Sequence, residues 1–149
     1  MTIHQATLVE IDDIVPLLDA YRQFYGKPGN PADCRIFLEE RFKNSHSIIF
    51  LAYDGKGTAV GFAQLYPGFS SAYLARVFIL NDLFVVPTAR RQGVGSQLLQ
   101  AAADYGRTVG AMRLTLSTKV DNLDAQALYE SEGWRRDSEF YVYHLSLDT

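Results

Sequence analysis

The sequence predicts an α/β (α+β) domain built on a mixed sheet, and three features carry that prediction. Two strand-like runs, Ser47 to Tyr53 and Thr58 to Tyr66, flank Asp54-Gly55-Lys56-Gly57, where glycine supplies the positive φ of a hairpin turn. An apolar strand within Tyr73 to Val86 leads into a helix at Gly93 to Val109 and then a strand at Arg113 to Ser117. The connecting helix is a crossover, so the flanking strands run parallel. The run Arg136 to Leu147 alternates like a final strand or strand pair.

The other elements follow in order. Ile3 to Leu8 is a short strand. An amphipathic helix then places Ile11, Ile14, Leu17, Leu18, Tyr21 and Phe24 near helical spacing, opened by Thr7 and Glu10 as a capping box. Pro16 lies inside it, and its missing N–H predicts a kink. Gly26 to Pro31 ends that helix, and a second runs from about Ala32 to Lys43 with only a partly apolar face. The crossover helix carries Leu98, Ala102, Tyr105 and Val109 on one stripe and stops at Gly110, a low-cost left-handed cap. A short helix at about Asp124 to Glu132 ends at Gly133.

The chemistry concentrates in Asn81 to Ser96, where the apolar strand passes through a basic, glycine-bearing turn into the crossover helix. Helix N-termini present N–H groups without intrahelical partners at the positive end of the dipole, which suits a phosphate. Gly93 and Gly95 permit a sharp turn and close approach, and Arg90 and Arg91 add positive charge. A Walker loop would need Gly-Lys-Ser/Thr, which is absent. A dinucleotide fingerprint wants a third small residue where Leu98 stands. The pyrophosphate of coenzyme A remains.

Arg90-x-x-Gly93-x-Gly95 after an apolar strand resembles the acetyl-CoA signature of the GNAT N-acetyltransferase superfamily. A second block, Asn122-Leu123-Asp124-Ala125-Gln126-Ala127-Leu128-Tyr129 through Gly133-Trp134, is similar to that family's Asn-x-x-Ala-x-x-Leu-Tyr-x-x-x-Gly-Phe segment. The resemblance covers nearly the whole chain and is to small single-domain members, among them diamine and polyamine acetyltransferases. It implies a centrally splayed sheet of about six or seven strands flanked by about four helices. The cosubstrate it implies is acetyl-CoA.

Carried over residue by residue, the resemblance implies that the backbone of Leu83, Phe84 and Val85 lines the acetyl and pantetheine groups. Arg90, Arg91, Gln92, Gly93, Val94, Gly95 and Ser96 would cradle the pyrophosphate, with Asn122, Asp124 and Ala125 beside the cofactor. Tyr129 is the expected acid that protonates the departing thiolate; its alternative is a core tyrosine. Polyamine-acetylating relatives have Glu at Asn81, and Asn81 cannot accept a proton, so it is expected to orient substrate or a water. Asp82 is a distant participant in deprotonation through ordered water, because successive strand side chains point to opposite faces. Tyr21, Phe24, Tyr25, Gln64, Tyr66 and Asn81 are the acceptor-binding candidates, although aromatics at helical spacing also suit a core. Pro67-Gly68-Phe69-Ser70-Ser71 is expected as a turn at the pocket rim.

Composition sets the remaining expectations. The 149 residues suffice for a single domain spanning residues 1 to 149, and 48% apolar with 21% charged residues is globular. A net charge of −3 argues against nucleic acid as a partner, and no apolar run approaches the roughly 20 residues that span a bilayer. One cysteine, Cys34, excludes an internal disulfide, and the start Met1-Thr2-Ile3-His4 lacks a signal pattern, so a cytoplasmic protein is expected. His4, His46 and His144 are scattered, and no metal is expected. The function expected is acetyl transfer from acetyl-CoA to a primary amine of a small molecule such as a polyamine or amino acid, in a homodimer paired through C-terminal strands around Phe140 to Tyr143. Protein lysine or N-terminal acetylation, and a noncatalytic acyl-CoA sensor, are the alternatives.

Overall fold

The computed structural model describes residues 1 to 148. Five strands, β1 (Thr2–Gln5), β2 (Ile48–Tyr53), β3 (Ala59–Ser70), β4 (Ala75–Val85) and β5 (Arg113–Thr115), form one sheet in sequential order. The first four are antiparallel, and β5 lies parallel to β4 because a crossover helix joins them. The helices are α1 (Ile11–Phe24), α2 (Pro31–Lys43), α3 (Val94–Thr108) and α4 (Leu123–Ser131). The Thr7–Glu10 capping box forms as the sequence predicts. Pro16 does not divide α1, and the one bond it removes is to the carbonyl of Asp12.

The two periodicities build two cores. Ile14, Leu17 and Leu18 of α1 and Leu38 of α2 pack on Ile49, Leu51, Phe62 and Phe84 on one face of the sheet. Val94, Leu98, Leu99 and Ala102 of α3 pack on Phe50, Ala52, Ala63, Leu65, Phe78 and Leu80 on the other. A Cβ on Gly61 would lie 3.0 Å from the carbonyl oxygen of Phe84 and 3.2 Å from Val94, so glycine there lets α3 settle close to β3.

Two expectations are corrected. The described residues hold five strands where six or seven were expected, because residues 136–147 form no ladder, with Tyr141 and Leu147 exposed at 91% and 85%. Alternation makes a strand only where an edge accepts its hydrogen bonds. The expected turn at Pro67 to Ser71 is instead largely strand, and the chain reverses at residues 71–74. Pro67 is tolerated because it lies past Leu65, the last β3 residue paired with β2.

One irregularity positions the site. The β3–β4 register shifts so that Gln64 faces Asp82 while Leu65 faces Leu80, leaving Asn81 as an extra residue in β4. Leu80 thus enters the core beneath α3 while Phe84 enters the core beneath α1. β4 pairs with β5 only from Val77 to Ile79, so beyond the bulge its outer edge is open. This is the central splay that the resemblance implies.

Candidate active site

The open edge comes from backbone geometry. The amide of Val86 donates to the carbonyl of Val60 at 2.9 Å, pointing toward β3. Strand alternation therefore turns the N–H and C=O groups of Leu83 and Val85 outward, where no strand receives them. Phe84 between them buries its side chain beneath α1. The Val85 carbonyl accepts from Arg90 Nε at 2.9 Å, and the Arg90 guanidinium lies 5.6 Å from the ring centre of Phe24 and 5.7 Å from that of Phe84. Arg90 is thus folded back along the strand end.

The turn that follows ends in a helix start able to receive an anion. Arg91 (φ 61°) and Gly93 (φ 82°) occupy the left-handed region, and α3 starts at Val94. The first intrahelical bond is Gln97 N–H to the Gly93 carbonyl, at 3.0 Å, which leaves the amides of Val94, Gly95 and Ser96 free of intrahelical acceptors. Gly93 serves backbone conformation, but Gly95 serves packing, since a Cβ there would meet Leu128 Cδ2 of α4 at 3.0 Å. The Ser96 hydroxyl donates to Glu132 and Gln100 Nε2 reaches the other Glu132 oxygen at 3.4 Å, so Ser96 offers an anion only its amide. Gln92 Nε2 donates back to the Thr88 carbonyl at 3.3 Å.

Beneath α1 lies a buried polar pair. Asp82, 4% exposed, accepts from Gln64 Nε2 at 2.5 Å and from Asn81 Nδ2 at 3.0 Å. Burial raises the Asp82 carboxyl above the ordinary carboxylate range, and the bonds from Gln64, Asn81 and Tyr21 oppose that rise. Gln64 is fully buried, and its Oε1 has no partner among the described residues. The expected separation of Asn81 and Asp82 onto opposite faces is corrected, because the bulge breaks alternation and the two side chains bond each other.

An aromatic wall surrounds this pair. Tyr21 donates to the Asn81 carbonyl at 3.3 Å and packs 4.9 Å from Tyr25, 6.0 Å from Phe62 and 6.2 Å from Phe84, so part of its ring serves the core as well. Burial, then the nearby Asp82 charge, raises the Tyr21 phenol, and the same causes push Tyr66 up to about 12. Phe24 is 58% exposed and packs edge-on to Tyr25 at 5.3 Å. Asp19, buried in α1, fixes this end of the helix by accepting from the Asn30 amide at 2.7 Å and from Gln23 Nε2 at 3.0 Å.

α4 brings Tyr129 to the opposite side of the cleft. Its ring packs 6.2 Å from Trp134, and its phenol makes no hydrogen bond to protein among the described residues. Burial, then the proximity of Tyr25, raises that phenol, so it stays protonated at neutral pH. Asn122 caps α4 by accepting from the Ala125 amide at 3.2 Å, which leaves its Nδ2 unused. Ala125 is half-buried and Asp124 is exposed without a side-chain hydrogen bond.

The structure thus unites Tyr21, Tyr25, Gln64, Tyr66, Asn81, Asp82 and Tyr129. Sequence reasoning missed Glu132 and Gly61, which have no local sequence signal, and it named Arg90 without its folded-back conformation. A groove of about 830 Å³ lies at the other end of the sheet, lined by Glu39, Phe42, Ser47, Pro67, Arg76 and Tyr105, away from this cleft.

Known proteins match the chain in sequence and in fold. The model of the acetyltransferase (GNAT) family matches residues 14–134. The chain is 44% identical to the uncharacterized N-acetyltransferase YhfO of Bacillus subtilis over 99% of this chain and 98% of that one. A crystal structure of a probable acetyltransferase superposes with a TM-score of 0.95 at 47% identity, covering 100% of this chain and 99% of the other. An aminoglycoside N-acetyltransferase in complex with CoA shares the fold, with a TM-score of 0.79 at 23% identity over 97% and 93% of the two chains. An opened strand edge, a helix start with unpaired amides and these likenesses lead to one conclusion: the chain belongs to the GNAT family of acetyltransferases.

Proposed function

We propose that the chain transfers acetyl from acetyl-CoA directly to a primary amine of a small molecule in a ternary complex. The observation that carries this reading is the open β4 edge at Leu83 and Val85, continuous with the unpaired amides at the start of α3. That edge suits the amides of a pantetheine arm, and the α3 start suits a pyrophosphate. Arg90 leaves the Val85 carbonyl when the arm pairs there. Arg91 to Ser96 supply backbone donors, and the Asn122 amide, whose oxygen caps α4, keeps its Nδ2 for the cofactor.

The residues divide the proton transfers. Asp82, held by Gln64 and Asn81, takes the proton of the acceptor ammonium directly or through one water, and the freed nitrogen attacks the thioester carbon. An outward amide at Leu83 or Val85 stabilises the developing oxyanion. As the carbon–sulfur bond breaks, Tyr129 donates its phenolic proton to the thiolate and recovers one from solvent. The test is release of free CoA thiol from acetyl-CoA across an amine panel. Thermal stabilisation by acetyl-CoA without thiol release from any amine would sink the transfer reading and favour a sensor.

We also infer a homodimer. β5 ends the sheet with one edge unpaired, and the run Phe140 to Tyr143 lies exposed with no strand partner among the described residues. Light scattering should give a dimer for the full chain and a monomer for the Phe140→Glu/Val142→Glu variant. Among the described residues, no helix is long and apolar enough to cross a membrane.

A further inference from the structure

A buried carboxylate, Asp82, and two cations, Arg90 and Lys119, lie around the aromatic residues at the end of α1. Asp82 is the carboxylate buried among Tyr21, Tyr66 and Gln64, and the unpartnered Gln64 Oε1 adds one more acceptor for N–H groups. One carboxylate and one amide oxygen match a single ammonium. Lys119 Nζ lies 5.7 Å from the ring centre of Tyr25, which packs on Tyr21, and the Arg90 guanidinium lies 5.6 Å from that of Phe24. Phe24 and Tyr25 touch each other, so the two cations flank one aromatic patch.

Neither cation is in an ion pair among the described residues. Asp121 and Asp124, the nearest acids in sequence to Lys119, are exposed and pair with neither. The backbone of Lys119 is held in place. Its carbonyl accepts from Gln126 Nε2 at 3.2 Å and from the Asn122 amide at 3.1 Å, and Gln126 also reaches the Val120 carbonyl at 3.1 Å.

We infer that the acceptor is zwitterionic, with its ammonium directed to Asp82 and Gln64 and an anionic group, such as a carboxylate, held by Lys119 and Arg90. The inference rests on the amine-acetylating reading and narrows it. A polyamine would bring its second cation against Lys119 and Arg90 with no carboxylate to receive it. An amino acid with its amine on a short chain satisfies both ends.

The experiment compares three acceptors at each chain length: an unbranched ω-amino acid, its neutral amide and the corresponding diamine. At the favoured length, kcat/KM for the acid should exceed that for the amide by about 10-fold, with the diamine lower still. Lys119→Glu should raise the KM for the acid by about 10-fold and improve the diamine, while the KM for acetyl-CoA stays in place. Arg107→Glu, the same charge change in the last turn of α3, should preserve the acid preference. Equal or better turnover of amides or diamines would overturn the inference and leave the transfer reading standing. So would a Lys119→Glu variant in which the KM for acetyl-CoA rises and that for the acceptor does not, because Lys119 would then serve the cofactor phosphates. Absence of turnover with every amine would overturn the transfer reading itself, and the inference with it.

Discussion

The two halves of β4 share one strand and one sheet, yet only one of them builds a site. From Val77 to Ile79 the strand is paired on both sides, by β3 and β5. From Asn81 to Val85 it keeps β3 but loses β5, and the bulge at Asn81 rotates the following side chains. The paired half is structural because its backbone groups are satisfied. The open half is the candidate site because Leu83 and Val85 turn backbone groups outward that no strand among the described residues receives.

The largest expected effect tests whether the open half is catalytic. Tyr129→Phe removes a phenol that has no hydrogen-bond partner among the described residues, and kcat should fall by about 100-fold or more in a thiol-release assay. Unchanged turnover across the pH range would assign Tyr129 to packing.

Next comes the bulge itself. Asp82→Asn should lower kcat/KM at neutral pH by about 100-fold and flatten the acid limb of the pH profile, which in the parent chain lies above the ordinary carboxylate range. Stability should move the other way. Burial raises the folded-state pKa of Asp82, so its contribution is fullest below the unfolded value of 3.8 and is lost as pH rises through the folded value. At neutral pH the variant should therefore resist urea as well as the parent chain or better. A large loss of stability there would mean that Asp82 is chiefly structural.

The third prediction asks what supports the open half in place of β5. Gly61 lies opposite Val85 and beneath α3, and its Cβ would strike the rigid Phe84 carbonyl. Gly61→Ala should cost about 1–3 kcal/mol in denaturant unfolding. Gly93→Ala, with open space around it but φ at 82°, should cost only about 1 kcal/mol and weaken acetyl-CoA binding more than folding.

The smallest effect is on backbone exchange. The amides of Leu83 and Val85 should exchange faster than those of the doubly paired half and slow on addition of acetyl-CoA, whereas amides of Val77 to Ile79 should hardly change. Equal protection of both halves in the free protein would contradict an open edge.

Local pattern was legible wherever one residue type acts on its own neighbours. The Thr7–Glu10 box, the Asp54 to Thr58 hairpin, the Gly93 start and the Gly110 stop all depend on residues within a few positions. The aromatic and polar candidates Tyr21, Tyr25, Gln64 and Tyr66 were legible as a set but not as an arrangement. No spacing announces that Gln64 faces Asp82, since the two are eighteen residues apart and the register between their strands decides it. Arg90 read as phosphate-binding charge, and only the proximity of Val85, Phe24 and Phe84 turns it back. The alternation of residues 136–147 was real, but no edge among the described residues receives it.

The sequence by itself determined the alternation of strands and helices, the glycine-bearing turn into α3 and the two blocks that mark the family, because capping, periodicity and glycine conformation are short-range effects. Tertiary structure alone decided the bulge that joins Asn81 to Asp82, the end of β5 at Thr115 and the meeting of Tyr129 with the α1 aromatics. Those depend on how far the strands pair and on how closely α3 and α4 settle on the sheet and on each other. Long-range packing fixes both, and no local pattern encodes it.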